Sequence, residues 1–345
     1  MVHDRQTRRW PMAAVASLLL FGALLAAAPP CAADLPASGT PAPDFTLPGT
    51  DGSTFRLADQ IGRHNVLVAL LLETVCPFCQ RHVAALNQVR AQWAADYDAQ
   101  VVFVKPDTAE AVKAFALGVK ADNLPPLWID SDKTVPQAYG VGKFQFHGAQ
   151  RYLPATILID KAGLVRFTYA SKDNRDRPTI EGLTAELKKL PDRAELAEGK
   201  PLPPFALPDQ DGAIQRLADH LGKQPLVLTF YPKDMTGGCT REACSLRDNQ
   251  DALRATGAVV YGVSVDTPAS HKEFIAKDKL NYPLLADSDK GYTRWLGLLG
   301  GNGMANRVTI VVDKQGIVRK IDRAVKVDSH GQDLLAVLKQ IAAAG

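Results

Sequence analysis

Cysteine is scarce in this chain: five occur in 345 residues, and a fold stapled by disulfides needs a much denser set. Neither close cysteine pair has a second Cys/His pair near it at metal-ligand spacing, which argues against a zinc site. Long basic runs are also missing. The formal net charge is +3, and Asp4, Arg5, Arg8 and Arg9 supply +2 of it. A body so close to neutral carries no electrostatic footprint for nucleic acid. Beyond the N-terminus, no apolar stretch approaches the ~17–20 residues that span a bilayer.

The N-terminus is different. A basic stretch, Arg5 to Arg9, leads into the apolar run Met12 to Ala28 and then Pro29-Pro30-Cys31-Ala32-Ala33. That order is that of a secretory signal. Residues 1–33 are therefore expected to direct export, most simply to a periplasm, with cleavage near Ala33-Asp34 and no stable membrane insertion afterwards; left uncleaved, the run would anchor the chain. Cys31 would leave with the signal, so four cysteines remain, Cys76/Cys79 and Cys239/Cys244.

The remaining chain repeats itself. At an offset of 160 residues, Pro43, Phe45, Leu47, Pro48, Asp51, Gly52, Arg56, Leu57, Ala58, Asp59 and Gly62 fall on Pro203, Phe205, Leu207, Pro208, Asp211, Gly212, Arg216, Leu217, Ala218, Asp219 and Gly222. The same register sets Cys79 on Cys239 and Cys76 on Thr236. Further on, the offset drifts as loops differ in length: Thr156-Ile157-Leu158-Ile159-Asp160-Lys161 matches Thr309-Ile310-Val311-Val312-Asp313-Lys314, which puts Pro154 on Arg307. Each half reads as an apolar strand, a helix opening at the cysteine, a strand, a helix, and a closing hairpin and helix. This predicts an α/β layer fold in two tandem domains, residues 34–190 and 203–345. The proline-rich stretch 191–202 would join them as a semi-rigid linker.

In the second half the segment Pro232-Lys233-Asp234-Met235-Thr236-Gly237-Gly238-Cys239 ends where a strand gives way to a helix. Free amides and the positive end of the helix dipole stabilise a thiolate at such a junction. The segment resembles the peroxiredoxin motif Pro-x-x-x-Thr-x-x-Cys, and Cys244, five residues on, matches the bacterioferritin comigratory protein (Q-type) subfamily. The resemblance covers roughly Leu202 to the C-terminus. It implies that Cys239 attacks a peroxide oxygen, Thr236 hydrogen-bonds the bound peroxide, Pro232 shields the sulfur, and Arg307 supports thiolate and transition state. It also implies a Cys239–Cys244 disulfide as the resolved product. Gly237 stands where the family commonly carries proline. Residues five apart on an intact helix have Cα atoms about 8–9 Å apart, and a disulfide needs 4.4–6.8 Å, so that disulfide requires the helix to unwind.

In the first half, Cys76-Pro77-Phe78-Cys79 follows an apolar strand and opens a helix, the construction of a thioredoxin-fold active site. Residues three apart lie about 5 Å apart and can bridge without unwinding. Over about Pro41 to Leu190 this half resembles the TlpA-like and redoxin branch of the thioredoxin superfamily. On that resemblance Cys76 is the exposed attacking thiolate, Cys79 resolves the mixed disulfide as a Cys76–Cys79 bridge, and Pro154 is a substrate-facing cis-proline. The tryptophan that often precedes the first cysteine is replaced by Glu73-Thr74-Val75, and Gln80 in place of histidine excludes a covalent haem site.

These resemblances imply two tandem thioredoxin-fold domains with no metal or organic cofactor. The implied activity is a thiol-dependent peroxidase for hydrogen peroxide or organic hydroperoxides, re-reduced through Cys76/Cys79 or by an external thioredoxin-like or membrane thiol–disulfide donor. Fusion would raise the donor's effective concentration to about the millimolar range. Two rivals differ in their prediction: an exported disulfide reductase or isomerase working through Cys76/Cys79 would show no fast peroxide reaction at Cys239, and a redox-sensing interaction module would be oxidised without turnover. His82 is expected to be an exposed residue of a helix face. The glycines 297, 300, 301 and 303 precede a strand rather than open a helix, which excludes a phosphate loop and suggests a flexible approach to Arg307.

Overall fold

The computed structural model describes residues 34–344, so the expectations placed on the signal segment and Cys31 lie outside it. The first half runs β1 (Thr46–Pro48), β2 (Thr54–Arg56), β3 (Asn65–Leu70), α1 (Pro77–Tyr97), β4 (Ala99–Lys105), α2 (Ala109–Leu117), β5 (Trp128–Ile129), α3 (Thr134–Ala138), β6 (Lys143–Phe146), β7 (Ala149–Tyr152), β8 (Ala155–Ile159), β9 (Val165–Ala170) and α4 (Ile180–Leu187). The second runs β10 (Ala206–Pro208), β11 (Ile214–Arg216), β12 (Leu226–Phe230), α5 (Gly237–Asp248), α6 (Gln250–Ala255), β13 (Val259–Ser264), α7 (Pro268–Asp278), β14 (Leu284–Ala286), α8 (Gly291–Trp295), β15 (Val308–Val312), β16 (Val318–Asp322) and α9 (His330–Ala344).

Each half builds one five-stranded mixed sheet, in the orders β5-β4-β3-β8-β9 and β14-β13-β12-β15-β16. The central strands β3, β8, β12 and β15 are buried along their whole length. Strands covered by other elements on both faces are rich in Val, Ile and Leu rather than alternating, and these four are, with one polar residue each. The closing hairpins are built alike. Asp160 Oδ1 accepts the amides of Ala162 and Leu164, and Asp313 Oδ1 those of Gln315 and Ile317, all at 2.9 Å. Gly163 and Gly316 take the positive φ (77° and 84°) that each turn needs.

The halves diverge in two places that matter for the sites. The hairpin β6–β7 belongs to the first half alone. The long helix α1 is continuous, whereas its counterpart breaks at Asn249 (φ −104°, ψ 2°), whose side-chain amide donates to the Ser245 carbonyl at 2.8 Å. The linker is not free. Amides of Ala194, Gly199 and Leu202 donate to the carbonyls of Trp295, Val318 and Gly316 at 2.7–2.8 Å, fastening it to the second domain.

The two domains meet through ion pairs. Arg63 pairs with Asp289, Arg216 with Asp59, and Arg294 Nη1 lies 3.0 Å from Asp98. Gly62 is forced by this contact, because a Cβ there would stand 2.4 Å from the Pro204 carbonyl oxygen.

Candidate functional site

The two cysteine centres occupy one structural position, as the repeat predicts. Cys79 is the third residue of α1 and Cys239 the third of α5; Cys76 and Thr236 are the respective N-caps. The strand registers agree: Leu70 pairs with Ala155 and Phe230 with Val308, so Pro154 and Arg307 are equivalent.

At the second centre, Cys239 is almost fully buried and Arg307 Nη2 donates to its sulfur at 3.3 Å. The guanidinium reaches it from the residue before β15. Its other nitrogen ion-pairs with the buried Glu242, one turn beyond Cys239 on α5. Glu242 in turn lies 3.1 Å from His330 Nδ1, and His330 Nε2 lies 2.8 Å from the Thr309 hydroxyl. Arg307, Glu242 and His330 therefore form a polar chain from the sulfur to the start of α9. Burial, reinforced by Arg307, holds His330 down at about 4, so it is neutral at pH 7. Thr236 does not use its hydroxyl to cap α5; it donates to the Lys233 carbonyl at 3.1 Å and remains exposed beside the sulfur's turn. Pro232 is half-buried in the same loop.

That loop is held from below by a buried polar cluster. Asp234 accepts from the Tyr231 and Ser270 hydroxyls, each at 2.7 Å, and contacts His271 Nδ1 at 2.9 Å, while its amide donates to Asp266. Burial pushes the Asp234 carboxyl up, but its hydrogen bonds from His271, Ser270 and Tyr231 outweigh that and leave it below the ordinary value. The cluster pins the backbone through Met235, which adopts the left-handed conformation (φ 54°) just before the N-cap. Cys244 lies half-buried further along α5, its thiol pushed up first by burial. The four cysteines among the described residues are free thiols.

At the first centre, Cys76 Sγ caps α1 by accepting the Cys79 amide at 3.4 Å. The Cys79 thiol, the amides of Phe78 and Cys79, and Arg177 together outweigh burial and lower Cys76 to about 6. Cys79 is pushed well up, first by its hydrogen bond to Cys76 and then by burial. The Cys79 sulfur accepts from the Leu72 amide at 3.4 Å and from Arg177 Nη2 at 2.9 Å. Beneath the loop, the fully buried Lys105 ammonium donates to the carbonyls of Leu72 and Thr74 and pairs with Asp107.

Several expectations are corrected here. Cys76 is not exposed: only 2% of its surface is accessible, because the segment after β9 folds over it, Asn174 placing its carbonyl 3.8 Å from the sulfur. Pro154 is buried at the expected place, but no cis peptide bond occurs among the described residues. His82 faces the core, 8% accessible and with Nε2 unpartnered, and burial lowers it to about 4. The 297–303 glycine segment forms a hydrogen-bonded turn, Gly300 N to Met304 O at 2.8 Å, closed by a Leu299–Ala305 bridge.

Sequence reasoning missed Arg177, Glu242, His330 and the Asp234–His271 cluster. Glu242 had a signal, since three residues after Cys239 is the same helix face. Arg177 had none: it reaches Cys79 from 98 positions away in a loop of the first half that has no counterpart in the motif.

Comparison with known proteins is consistent with this geometry. The AhpC/TSA family matches residues 38–168 and again 199–321, one match per domain. Peroxiredoxin Bcp of Escherichia coli K12 is 37% identical over 152 residues, 42% of this chain and 97% of that protein. Peroxiredoxin Q, chloroplastic, of Gentiana triflora is 42% identical over 150 residues, 42% of this chain and 68% of that protein. Peroxidoxin BcpB of Mycobacterium tuberculosis, a solved structure, is 33% identical over 43% of this chain and 99% of its own, with a TM-score of 0.40. With both of its domains matched, the chain belongs to the AhpC/TSA family.

Proposed function

We propose that the protein is a thiol-dependent peroxidase whose reacting sulfur is Cys239. The observation that carries this is Arg307 Nη2 at 3.3 Å from the Cys239 sulfur, at the opening turn of α5. The two curated relatives described above are named peroxiredoxins, which agrees with it. The Arg307 guanidinium, placed beside the sulfur at a helix N-terminus, stabilises the negative charge that develops on the departing peroxide oxygen. In the reaction the thiolate attacks one peroxide oxygen, the O–O bond breaks, and water or an alcohol leaves with a proton. Cys239 is left as a sulfenic acid. The Thr236 hydroxyl donates to the Lys233 carbonyl and is exposed, which leaves its lone pairs to accept from the incoming peroxide.

Cys244 then condenses with the sulfenic acid, releasing water and forming the Cys239–Cys244 disulfide. Two electrons from a dithiol restore it. The first domain is suited to supply them, because a Cys76 thiol at about 6 is largely thiolate at pH 7 and Cys79 lies one turn away to release the mixed disulfide. The Cys76–Cys79 disulfide so formed would be reduced by an external thioredoxin-like or membrane thiol–disulfide donor. The signal-like segment 1–33 supports action in an exported, periplasmic setting, which cell fractionation with N-terminal mass analysis of the mature chain would test.

Stopped-flow oxidation of the reduced chain and of Cys239→Ser by hydrogen peroxide tests the activity. Fast stoichiometric consumption that vanishes with Cys239→Ser is expected. Slow consumption independent of Cys239 would instead favour the second reading, a disulfide reductase, for which the low Cys76 value is the specific support.

A further inference from the structure

The position of the Cys76 centre relative to the domain contact limits how electrons pass between the two centres. Every residue of the first domain named in that contact lies at one end of its sheet. Asp59, Gly62 and Arg63 precede β3, and Asp98 caps the C-terminus of α1. Ala162, in the β8–β9 turn, packs into the second domain's core at the same end. Cys76 lies at the other end, after β3 and at the N-cap of α1.

The separation follows from element lengths. The six residues of β3 advance about 20 Å at ~3.3 Å each. The 21 residues of α1 advance about 30 Å at ~1.5 Å each, from Cys76 to the Asp98–Arg294 pair. Thiol–disulfide exchange requires the sulfurs to touch. The tether does not bridge this gap: Leu190 is buried in the first core and Ala194 is bonded to Trp295. Three residues lie between them, with a reach of about 10 Å. The helix before the tether, α4, lies against the C-terminal half of α1, where Trp93 Nε1 donates to the Thr184 hydroxyl at 3.2 Å.

The free end of the first domain has an apolar rim. Among the described residues, four large apolar side chains are exposed, and two of them lie here: Val75 at 68%, next to Cys76, and Leu117 at 90%. Leu117 ends α2, whose Phe115 carbonyl accepts from Gln80 in the first turn of α1 at 3.3 Å. A third, Met235 at 38%, is the repeat equivalent of Val75 and precedes the Cys239 turn. Each centre thus presents an exposed apolar residue at the same place in its loop.

From this geometry we infer that Cys76/Cys79 reduces the Cys239–Cys244 disulfide of a second copy of the chain rather than its own, docking through Val75 and Leu117 against the Met235 loop. This rests on the peroxidase reading above. With the Asn174 segment that covers it drawn aside on docking, the Cys76 thiolate displaces one sulfur of the partner's disulfide, which leaves as a thiolate and takes up a proton. Cys79 then attacks Cys76, releasing the second thiol of the partner. The partner gains two electrons and two protons, and a Cys76–Cys79 disulfide remains for an external dithiol to reduce. Arg177 stands 2.9 Å from the Cys79 sulfur, where it stabilises the thiolate needed in that second step.

The test uses full-length chains. A Cys239→Ser chain, reduced and carrying Cys76/Cys79, is mixed with a peroxide-oxidised Cys76→Ser, Cys79→Ser chain, and thiols are quantified by mass after alkylation. Transfer is expected to be second order. In the wild-type chain given one equivalent of peroxide, tenfold dilution should lengthen the half-time for appearance of the Cys76–Cys79 disulfide about tenfold, and Val75→Asp should slow the mixed reaction. A wild-type half-time that ignores dilution would establish transfer within one chain and overturn the inference. Absence of transfer in either experiment, with Cys239 still forming a dimedone-trappable sulfenic acid, would overturn it while leaving the peroxidase intact. Loss of the sulfenic acid itself would mark failure of the peroxidase reading, on which the inference depends.

Discussion

Replacing Gly237 by proline should slow closure of the Cys239–Cys244 disulfide. Gly237 is the first residue of α5, a Cβ there meets nothing within 4 Å, and Thr236 before it is extended at φ −90°, ψ 147°. Proline is favoured at that helix position, where the missing amide hydrogen has no helical partner, and it requires the extended conformation in the residue it follows. The substitution restricts the unwound chain more than the helix, worth about 0.4–1 kcal/mol. With Cys239 and Cys244 five residues apart, their Cα atoms stand about 8.6 Å from one another on the intact helix, beyond the 4.4–6.8 Å a disulfide spans. The unwinding breaks the Arg307–Glu242 pair, the packing of Ala243 and Leu246 and the Ser245 Oγ bond to the Gly331 amide.

Less population of the unwound state by 0.4–1 kcal/mol corresponds to disulfide formation about two- to fivefold slower. The assay is a peroxide pulse followed by timed acid quench, alkylation and mass analysis, together with amide exchange along α5. Reduced chain should protect α5 amides, and oxidised chain should lose that protection while α1 keeps its own after Cys76–Cys79 closure. Equal α5 protection in both redox states, or closure in Gly237→Pro as fast as in the parent, would refute the unwinding argument.

Alkylation of Cys76 should follow a titration with its midpoint near 6, so reactivity rises as pH passes that value and levels off above it; a midpoint near the ordinary thiol value of about 8.5 would contradict the assigned capping. Because Cys76 is lowered in the fold, its contribution to the reduced domain's stability is present above the unfolded value and is lost as pH falls through about 6. Denaturant unfolding of reduced protein against its Cys76→Ser variant across that window checks the sign. Arg307→Met should lower the peroxide rate about a hundredfold and cost roughly 3 kcal/mol by leaving Glu242 buried without its arginine, beside a neutral His330. Adding Glu242→Gln should restore most of the stability and none of the rate, read by urea melts and stopped flow respectively.

Much of the fold is legible in the chain because it is written twice. Turn chemistry recurs at Asp160 and Asp313, and apolar-rich strands recur at β3 and β12, so spacing alone aligns Cys79 with Cys239 and Pro154 with Arg307. These are local signals, set by turn residues, strand composition and the strand-to-helix junction. Arg177 is different in kind: it reaches Cys79 over 98 positions, and nothing near it in the chain marks it as a partner of sulfur. His82 looked like a surface residue by type and proved buried, because the packing of α1 against the sheet, not the residue's polarity, decides which face turns inward.

Order of elements, domain number, the two cysteine junctions and the thiol chemistry each one favours follow from neighbours a few residues apart, and the chain alone determines them. Burial of Cys76, the Arg307–Glu242–His330 chain and the ion pairs between the two domains were settled only in three dimensions. They depend on groups brought together across tens to hundreds of residues, and contact energies over such separations leave no periodicity in the sequence to read.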